Sequence, residues 1–418
     1  MNVPLIARNI AGLAHEIMQE SPITVISGAR QVGKSTLMRE LLRDREARIV
    51  NLDSKVNREA AQADPDGFAA QYPNGTLAID EIQRVPELLL SMKNALEHDR
   101  RPGRFVVTGS SNLLTLRGAE ESLAGRAQTV HLHGLSRGEL EERVEDFARY
   151  MWELPRKNEI SNIEEFSRAD YLEMILASAY PEIHQRSARS RDRWIENYLE
   201  RVLSKDLAEV TGIQHPDRLM PLLRLIAAEN ASEFVAAHVS RSLDIPARSI
   251  PTYVQALENV FLVHRLPAWS NNTVARTISK PKISLQDTGV AASLNGADAA
   301  GLSHAIASSL TGGLVEGFVT AELMKQHAWS TVDFTLHHFR DRENHEVDIV
   351  LENRRREIVG VEVKATASVG RQHFSGLTYL KDKVGDRFVA GAVLYTGTDA
   401  VKFGDRLWAL PLATLWRV

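Results

Sequence analysis

The chain of 418 residues contains no cysteine. Disulfides, thiolate zinc sites and thiol redox chemistry are therefore excluded, and a reducing, cytoplasmic setting is expected. No uncharged apolar run reaches the roughly 18 residues of a membrane span, and the opening MNVPLIARNIAGLAHE lacks the long apolar stretch of a signal peptide. A large excess of positive charge is also missing. The formal net charge is −4 and the sequence pI about 6.4, which argues against a purely electrostatic nucleic-acid binder and leaves room only for a local basic patch. Neither a fixed-period repeat nor a low-complexity tract is present. What is there, 44% hydrophobic and 25% charged residues, is the composition of a globular protein with about two to four domains.

Short apolar runs alternate with helical patterns over the first 140 residues: ITVISGA, then KSTLMRELLRD, RIVNLDS, LAIDEI, PELLLSMKNALEH and FVVTGSS. That order predicts a parallel sheet with helices on both faces. Helical pattern dominates 141–215, expected to be a helical lid. Residues 216–272 read as helix, helix, sharp turn, helix and hairpin, the order of a winged helix-turn-helix. Residues 273–418 return to a mixed α/β pattern, with strands FTLHHFRD, HEVDIVLE, EIVGVEVKA and FVAGAVLYT.

SGARQVGKST matches the phosphate-loop motif G-x-x-x-x-G-K-[ST] between a strand and a helix. Glycines 28 and 33 let backbone N–H groups of Gly28, Ala29, Arg30, Gln31, Val32, Gly33 and Lys34 curl around phosphates, at a helix N-terminus that favours anions. Lys34 is expected to reach the β- and γ-phosphates of ATP. Ser35, followed by Thr36, supplies a hydroxyl to Mg2+. LAIDEI ends in Asp80, expected beside the phosphate loop as a second magnesium ligand, and in Glu81, expected to polarise the attacking water. FVVTGSSN brings Thr108, Ser110, Ser111 and Asn112 to a strand end. Ser110 or Ser111 there is either a γ-phosphate sensor or ordinary turn chemistry. Arg126 in SLAGRAQTV is a candidate arginine finger, which would need a second copy of the chain; the sequence leaves the oligomeric state open.

GARQVGKST, LAIDEIQRVPELL, RFVVTGSSNLL and SLAGRAQTVHLHGLSRGEL resemble the AAA+ ATPases of the archaeal-ATPase-like group. KPKISLQDTGVAASLNG, GGLVEGFVTAEL and EVDIVLE…VGVEVKA resemble the C-terminal region of that group, the domain of unknown function 4143. The resemblance implies an α/β protein with a P-loop AAA+ core, a helical lid, a winged helix and a C-terminal PD-(D/E)xK nuclease-like domain. In that last domain Glu316 lies on a helix, Asp348 on one strand, and Glu362 and Lys364 on the next. Residues two apart on a strand face the same side, so a hairpin across NRRRE would bring Asp348 to Glu362 and Lys364. Glu316, Asp348 and Glu362 are candidate magnesium ligands, and Glu362 and Lys364 candidate catalytic groups of a DNA endonuclease.

In the winged helix, Arg241, Arg248, Ser249, Thr252 and Tyr253 are candidates to face a DNA groove. The histidines are scattered, and none forms a metal-binding triad by spacing. Trp194, Trp269 and Trp408 read as core or junction anchors. Two functions fit: an ATP-driven protein acting on DNA, or a nucleotide-dependent switch that binds a protein partner and carries an inactive nuclease-like domain. A small-molecule kinase fits less well, because an Asp-Glu strand end suits hydrolysis.

Overall fold

The structure is a computed structural model, and it describes residues 5–418 apart from 112–122, 158–164, 208–212, 214, 273–275, 277–278 and 305–307. Asn112 lies outside the described residues. The N-terminal part holds five parallel strands, β1 (Ile23–Ser27), β2 (Ala47–Asn51), β3 (Thr76–Asp80), β4 (Phe105–Gly109) and β5 (Ala127–His131), in the order β2-β3-β4-β1-β5. β1, β3 and β4 are buried on both faces, which is why they read as continuous apolar runs. Alternate side chains serve opposite layers. Val25, Leu77, Ile79, Phe105 and Val107 pack on Leu88, Leu89, Met92 and Leu96. Ile26, Ala78, Val106 and Val130 join the other cluster, with helices α1 (Ala11–Glu20) and α2 (Lys34–Leu41).

β4 lies between β1, which leads into the phosphate loop, and β3, which ends in Asp80, and pairs with both. Thr108 of β4 thereby reaches Asp80.

The second apolar cluster does not stop at the first sheet. It continues without a break through the middle of the chain to Trp416. Helices α3 (Ala188–Arg201), α4 (Leu219–Ala228), α5 (Ala236–Leu243) and α6 (Ile250–Asn259) accompany an antiparallel sheet of β6 (Ser232–Glu233), which lies between α4 and α5, and of β7 (Val263–Leu266) and β8 (Lys282–Leu285), ordered β6-β8-β7. β8 lies beyond the expected 272/273 boundary, yet its hydrogen bonds go to β6 and β7. Arg241, Arg248 and Thr252 are exposed and Ser249 is half-buried. Tyr253 is not available to a groove, because its ring is buried against the same core as Val254 and Leu257.

The C-terminal part is a six-stranded mixed sheet, β13-β14-β12-β11-β10-β9, made of β9 (Phe334–Arg340), β10 (Glu346–Asn353), β11 (Ile358–Lys364), β12 (Phe388–Tyr395), β13 (Val401–Gly404) and β14 (Leu407–Pro411). β10 and β11 form the expected antiparallel hairpin. Helix α7 (Ser308–Gln326) is buried around much of its circumference. Its glycines allow this: a Cβ on Gly313 would lie 2.5 Å from the Asn230 carbonyl oxygen, and one on Gly317 2.2 Å from Asn230 Nδ2. At its far end Glu322 accepts from Arg137 N (2.8 Å), Lys325 Nζ donates to Leu135 O (2.9 Å), and Gln326 Oε1 accepts from Phe147 N (2.9 Å). Among the described residues no helix is long and apolar enough to cross a membrane.

Glu145 sits at this junction, 1% exposed, with one oxygen accepting from Asn9 Nδ2 at 2.8 Å. Burial pushes its carboxyl up to about 8, and the nearby Glu322 and Glu139 add to the rise, against an opposing hydrogen bond from Ser136. A folded-state pKa above the unfolded value contributes stability below pH about 4.5 that is lost as pH rises towards 8. Glu145→Gln removes that loss. Thermal unfolding between pH 5 and 8 should show the variant gaining on the unaltered chain by on the order of 1 kcal/mol per pH unit; a difference independent of pH would contradict the placement.

Candidate functional site

The turn between β1 and α2 is shaped by two glycines. At Gly28 an added Cβ would lie 2.1 Å from the Leu132 carbonyl oxygen, and Gly33 has φ 103°, a conformation costly for other residues. Gln31 is also left-handed, at φ 64°. The loop ends at the N-terminus of α2, whose first N–H groups have no partner within the helix. Lys34 is 5% exposed, and its Nζ donates to Gly28 O (3.0 Å) and Ala29 O (2.8 Å). The ammonium is thus folded over the loop at the place where phosphate oxygens would compete for it.

Asp80 is 3% exposed. Its Oδ1 accepts from Ser35 Oγ at 3.0 Å and from Thr108 Oγ1, and its Oδ2 accepts from Asn51 Nδ2 at 3.2 Å. Ser35 and Asp80 therefore present hard oxygen donors side by side, a set that suits magnesium. Glu81 follows in a left-handed conformation, φ 60° and ψ 49°, with its N–H on Thr108 Oγ1 (3.1 Å). Gln83 Nε2 donates to both Glu81 and Ser110 Oγ, the latter at 2.9 Å. Of the two candidate serines, Ser110 is the one tied to Glu81.

A cavity of about 670 Å³ opens over the loop, lined by Arg30 to Thr36 and Glu81 on one side. Across it stand Trp194, Asn197, Tyr198 and Arg201 of α3. Trp194 and Tyr198 stack with ring centroids 5.0 Å apart. A volume within the usual 300–1,000 Å³ range of small-molecule sites, aromatic on one wall and phosphate-binding on the other, suits a nucleotide. The sequence did not single out Asn51, Gln83, Tyr198 or Arg201; the Trp-x-x-x-Tyr spacing, one face of a helix, was the available signal.

Arg126 is elsewhere. It precedes β5, next to the start of β1, where its O accepts from Ile23 N (3.1 Å) and its guanidinium bonds Ala124 O (3.2 Å). That is the end of the sheet opposite the phosphate loop, so it cannot act on its own chain's loop.

The C-terminal carboxylates do gather. Asp348 Oδ2 accepts from Val363 N (2.8 Å), and Lys364 Nζ pairs with Glu362 at 2.6 Å. Burial and the nearby Asp348 raise the Glu362 carboxyl to about 8. Lys282 of β8, absent from the sequence expectation, enters the group. Its Nζ lies 2.7 Å from Glu316, 2.7 Å from Glu346 and 3.4 Å from Asp348. Burial alone would lower the lysine's pKa, but the three carboxylates outweigh it and raise it. An ammonium therefore lies between Glu316 and Asp348, two of the three carboxylates expected to hold magnesium, while the third, Glu362, pairs with Lys364. Among the described residues, the three-residue group whose ligand atoms all lie within 4.8 Å of one another is Asp341, Glu343 and His345, on the β9–β10 turn. There His345 already bonds Asp341 (3.2 Å) and stacks on Tyr379.

Comparison with known families places an AAA domain at residues 20–141 and a domain of unknown function, DUF4143, at 311–415. The first part of the chain is thus similar to AAA domains and the last part to DUF4143 domains. A further domain of unknown function, DUF8612, matches 168–301. It takes in KPKISLQDTGVAASLNG, which therefore lies outside the DUF4143 match. An uncharacterized protein of Mycobacterium tuberculosis is 27% identical over 408 residues, covering 97% of this chain and 83% of its own length. One from Mycobacterium bovis matches with the same figures. Among solved structures, the Walker-type ATPase of Pyrococcus abyssi is similar at 15% identity and a TM-score of 0.42, over 70% of this chain and 96% of that one.

The contact at Gly28 can be tested directly. Gly28→Ala should lower stability by about 1–3 kcal/mol, seen as a depressed melting temperature. Unchanged melting would mean that the loop does not press on Leu132.

Proposed function

We propose that this protein binds ATP with magnesium in the cavity over the phosphate loop and hydrolyses it. The observation that carries the reading is the joining of Ser35, Asp80 and Thr108 beside Lys34, with Glu81 at the cavity wall. Loop N–H groups from Gly28 to Lys34 cradle the phosphates. Lys34 leaves the Gly28 and Ala29 carbonyls for the β- and γ-phosphate oxygens. Ser35 and Asp80 hold the magnesium ion, which when bound offsets phosphate charge. Glu81 accepts a proton from the attacking water, oriented by Gln83, and Ser110 lies on the same hydrogen-bonded chain. Arg201 adds positive charge from the lid side. Arg126 could serve only a second copy of the chain.

The DNA-directed part of the proposal assigns 216–285 to a winged helix and the six-stranded sheet to a PD-(D/E)xK-like domain. Support comes from the β6-β8-β7 sheet, whose β6 follows α4 and whose β7 and β8 follow α5 and α6, with Arg241, Arg248 and Thr252 exposed. The other reading, a switch for a protein partner with an inactive nuclease-like end, is favoured by Lys282 among the carboxylates. The DNA-directed reading keeps Glu362 and Lys364 as candidate groups of a magnesium-dependent endonuclease, whereas the partner-switch reading takes that site as inactive.

Lys34→Ala should abolish steady-state ATP hydrolysis, and unchanged turnover would sink the assignment. Glu81→Gln should keep ATP binding and slow hydrolysis by roughly 10²–10⁴-fold. For DNA, fluorescence anisotropy at low salt separates the readings. Arg241→Ala with Arg248→Ala should weaken duplex binding and reduce its salt slope by about two. If the unaltered chain binds neither single-stranded, duplex nor branched DNA, the partner switch stands instead.

A further inference from the structure

Lys282 is the first residue of β8, and its backbone belongs to the three-stranded sheet, opposite Glu233 of β6 and Leu266 of β7. Its side chain leaves that sheet. It ends, 4% exposed, among carboxylates from two other elements, Glu316 of α7 and the pair Glu346 and Asp348 of β10. Glu346 and Asp348 are two apart on one strand and so share a face. An ammonium has three N–H donors and no acceptor, and three carboxylates are what it meets. On the far side of Asp348 the second lysine, Lys364, pairs with Glu362.

Carboxylates this close cannot all remain ionised without a positive partner. A divalent metal is one solution and a tethered ammonium is another. The two exclude each other, because a metal ion between Glu316 and Asp348 would need the space and the charge that the ammonium supplies. The metal would come from solution, whereas Lys282 is delivered by a different module of the same chain.

We propose that Lys282 is the resident cation of the C-terminal carboxylate cluster, latching the three-stranded sheet to α7 and β10 in place of a divalent metal. Removal of that charge converts the cluster into a divalent-cation site. The inference stands on these positions and not on the DNA-directed reading above.

The test is titration of the full chain with Mn2+ in the absence of nucleotide, followed by calorimetry and by electron paramagnetic resonance of free Mn2+. Lys282→Met keeps the length of the side chain and removes the ammonium. It should gain one Mn2+ site that the unaltered chain does not show. The double variant Lys282→Met with Asp348→Asn should lose it. Binding at the phosphate loop or at the Asp341–Glu343–His345 turn is common to all forms and cancels in the comparison. A Lys282→Met chain that folds and gains no Mn2+ overturns the proposal. So does an Mn2+ site in the unaltered chain that Asp348→Asn removes. This second comparison needs no change at Lys282, and it decides the matter even where Lys282→Met does not fold.

Discussion

The Asp80 carboxylate ties the nucleotide end of the first sheet together. It sits buried at the tip of an otherwise apolar strand, a position that is unfavourable for a charge without partners. Ser35 after β1, Asn51 at the end of β2 and Thr108 of β4 each donate to it. Three strand ends and the first turn of α2 are therefore fixed relative to one carboxylate. Glu81 takes its direction from the next peptide, held in a left-handed turn by Thr108. The strand order makes this possible: with β4 between β1 and β3, a single threonine touches both carboxyl-bearing positions.

From the phosphate loop a hydrogen-bonded route leads towards the C-terminal domain. Arg8 donates to Val32 O of the loop at 2.9 Å and pairs with Glu139 at 3.0 Å. Glu139 closes a reciprocal cap with Ser136, and the next residue, Arg137, donates its N–H to Glu322 of α7. Two turns earlier on α7 is Glu316, one of the Lys282 partners. The same helix thus touches the ATPase domain at one end and the carboxylate cluster along its length. The apolar core is shared as well, running from α1 to Trp416, so the parts pack as neighbours in one interior and not as beads on linkers.

Much of this was legible in the sequence, because the physics is local. The phosphate loop has a fixed spacing, and β1, β3 and β4 are apolar runs because both faces of the sheet are covered. Asp348, Glu362 and Lys364 could be brought together from strand period and one hairpin. The illegible features come from contacts between distant segments. Lys282 lies in KPKISL, where a lysine opening a short strand carries no pattern; its meaning comes from residues 34 and 66 positions later. Tyr253 satisfies helical spacing on the boundary of the buried face, and only the packing decides that it is inside. Arg126 has the right neighbours in sequence but starts β5 at the wrong end of the sheet for its own loop. The position of β4 between β1 and β3 is a matter of topology, which alternation of strands and helices does not specify.

The central claim is that Asp80 and Ser35 hold magnesium beside the phosphates bound by the Gly28–Lys34 loop. Its most direct test is the magnesium dependence of ATP affinity in the unaltered chain and in Asp80→Asn. The unaltered chain should bind ATP more tightly with magnesium than with chelator present, and Asp80→Asn should bind ATP with an affinity that magnesium no longer improves. Magnesium dependence that survives intact in Asp80→Asn would contradict the account.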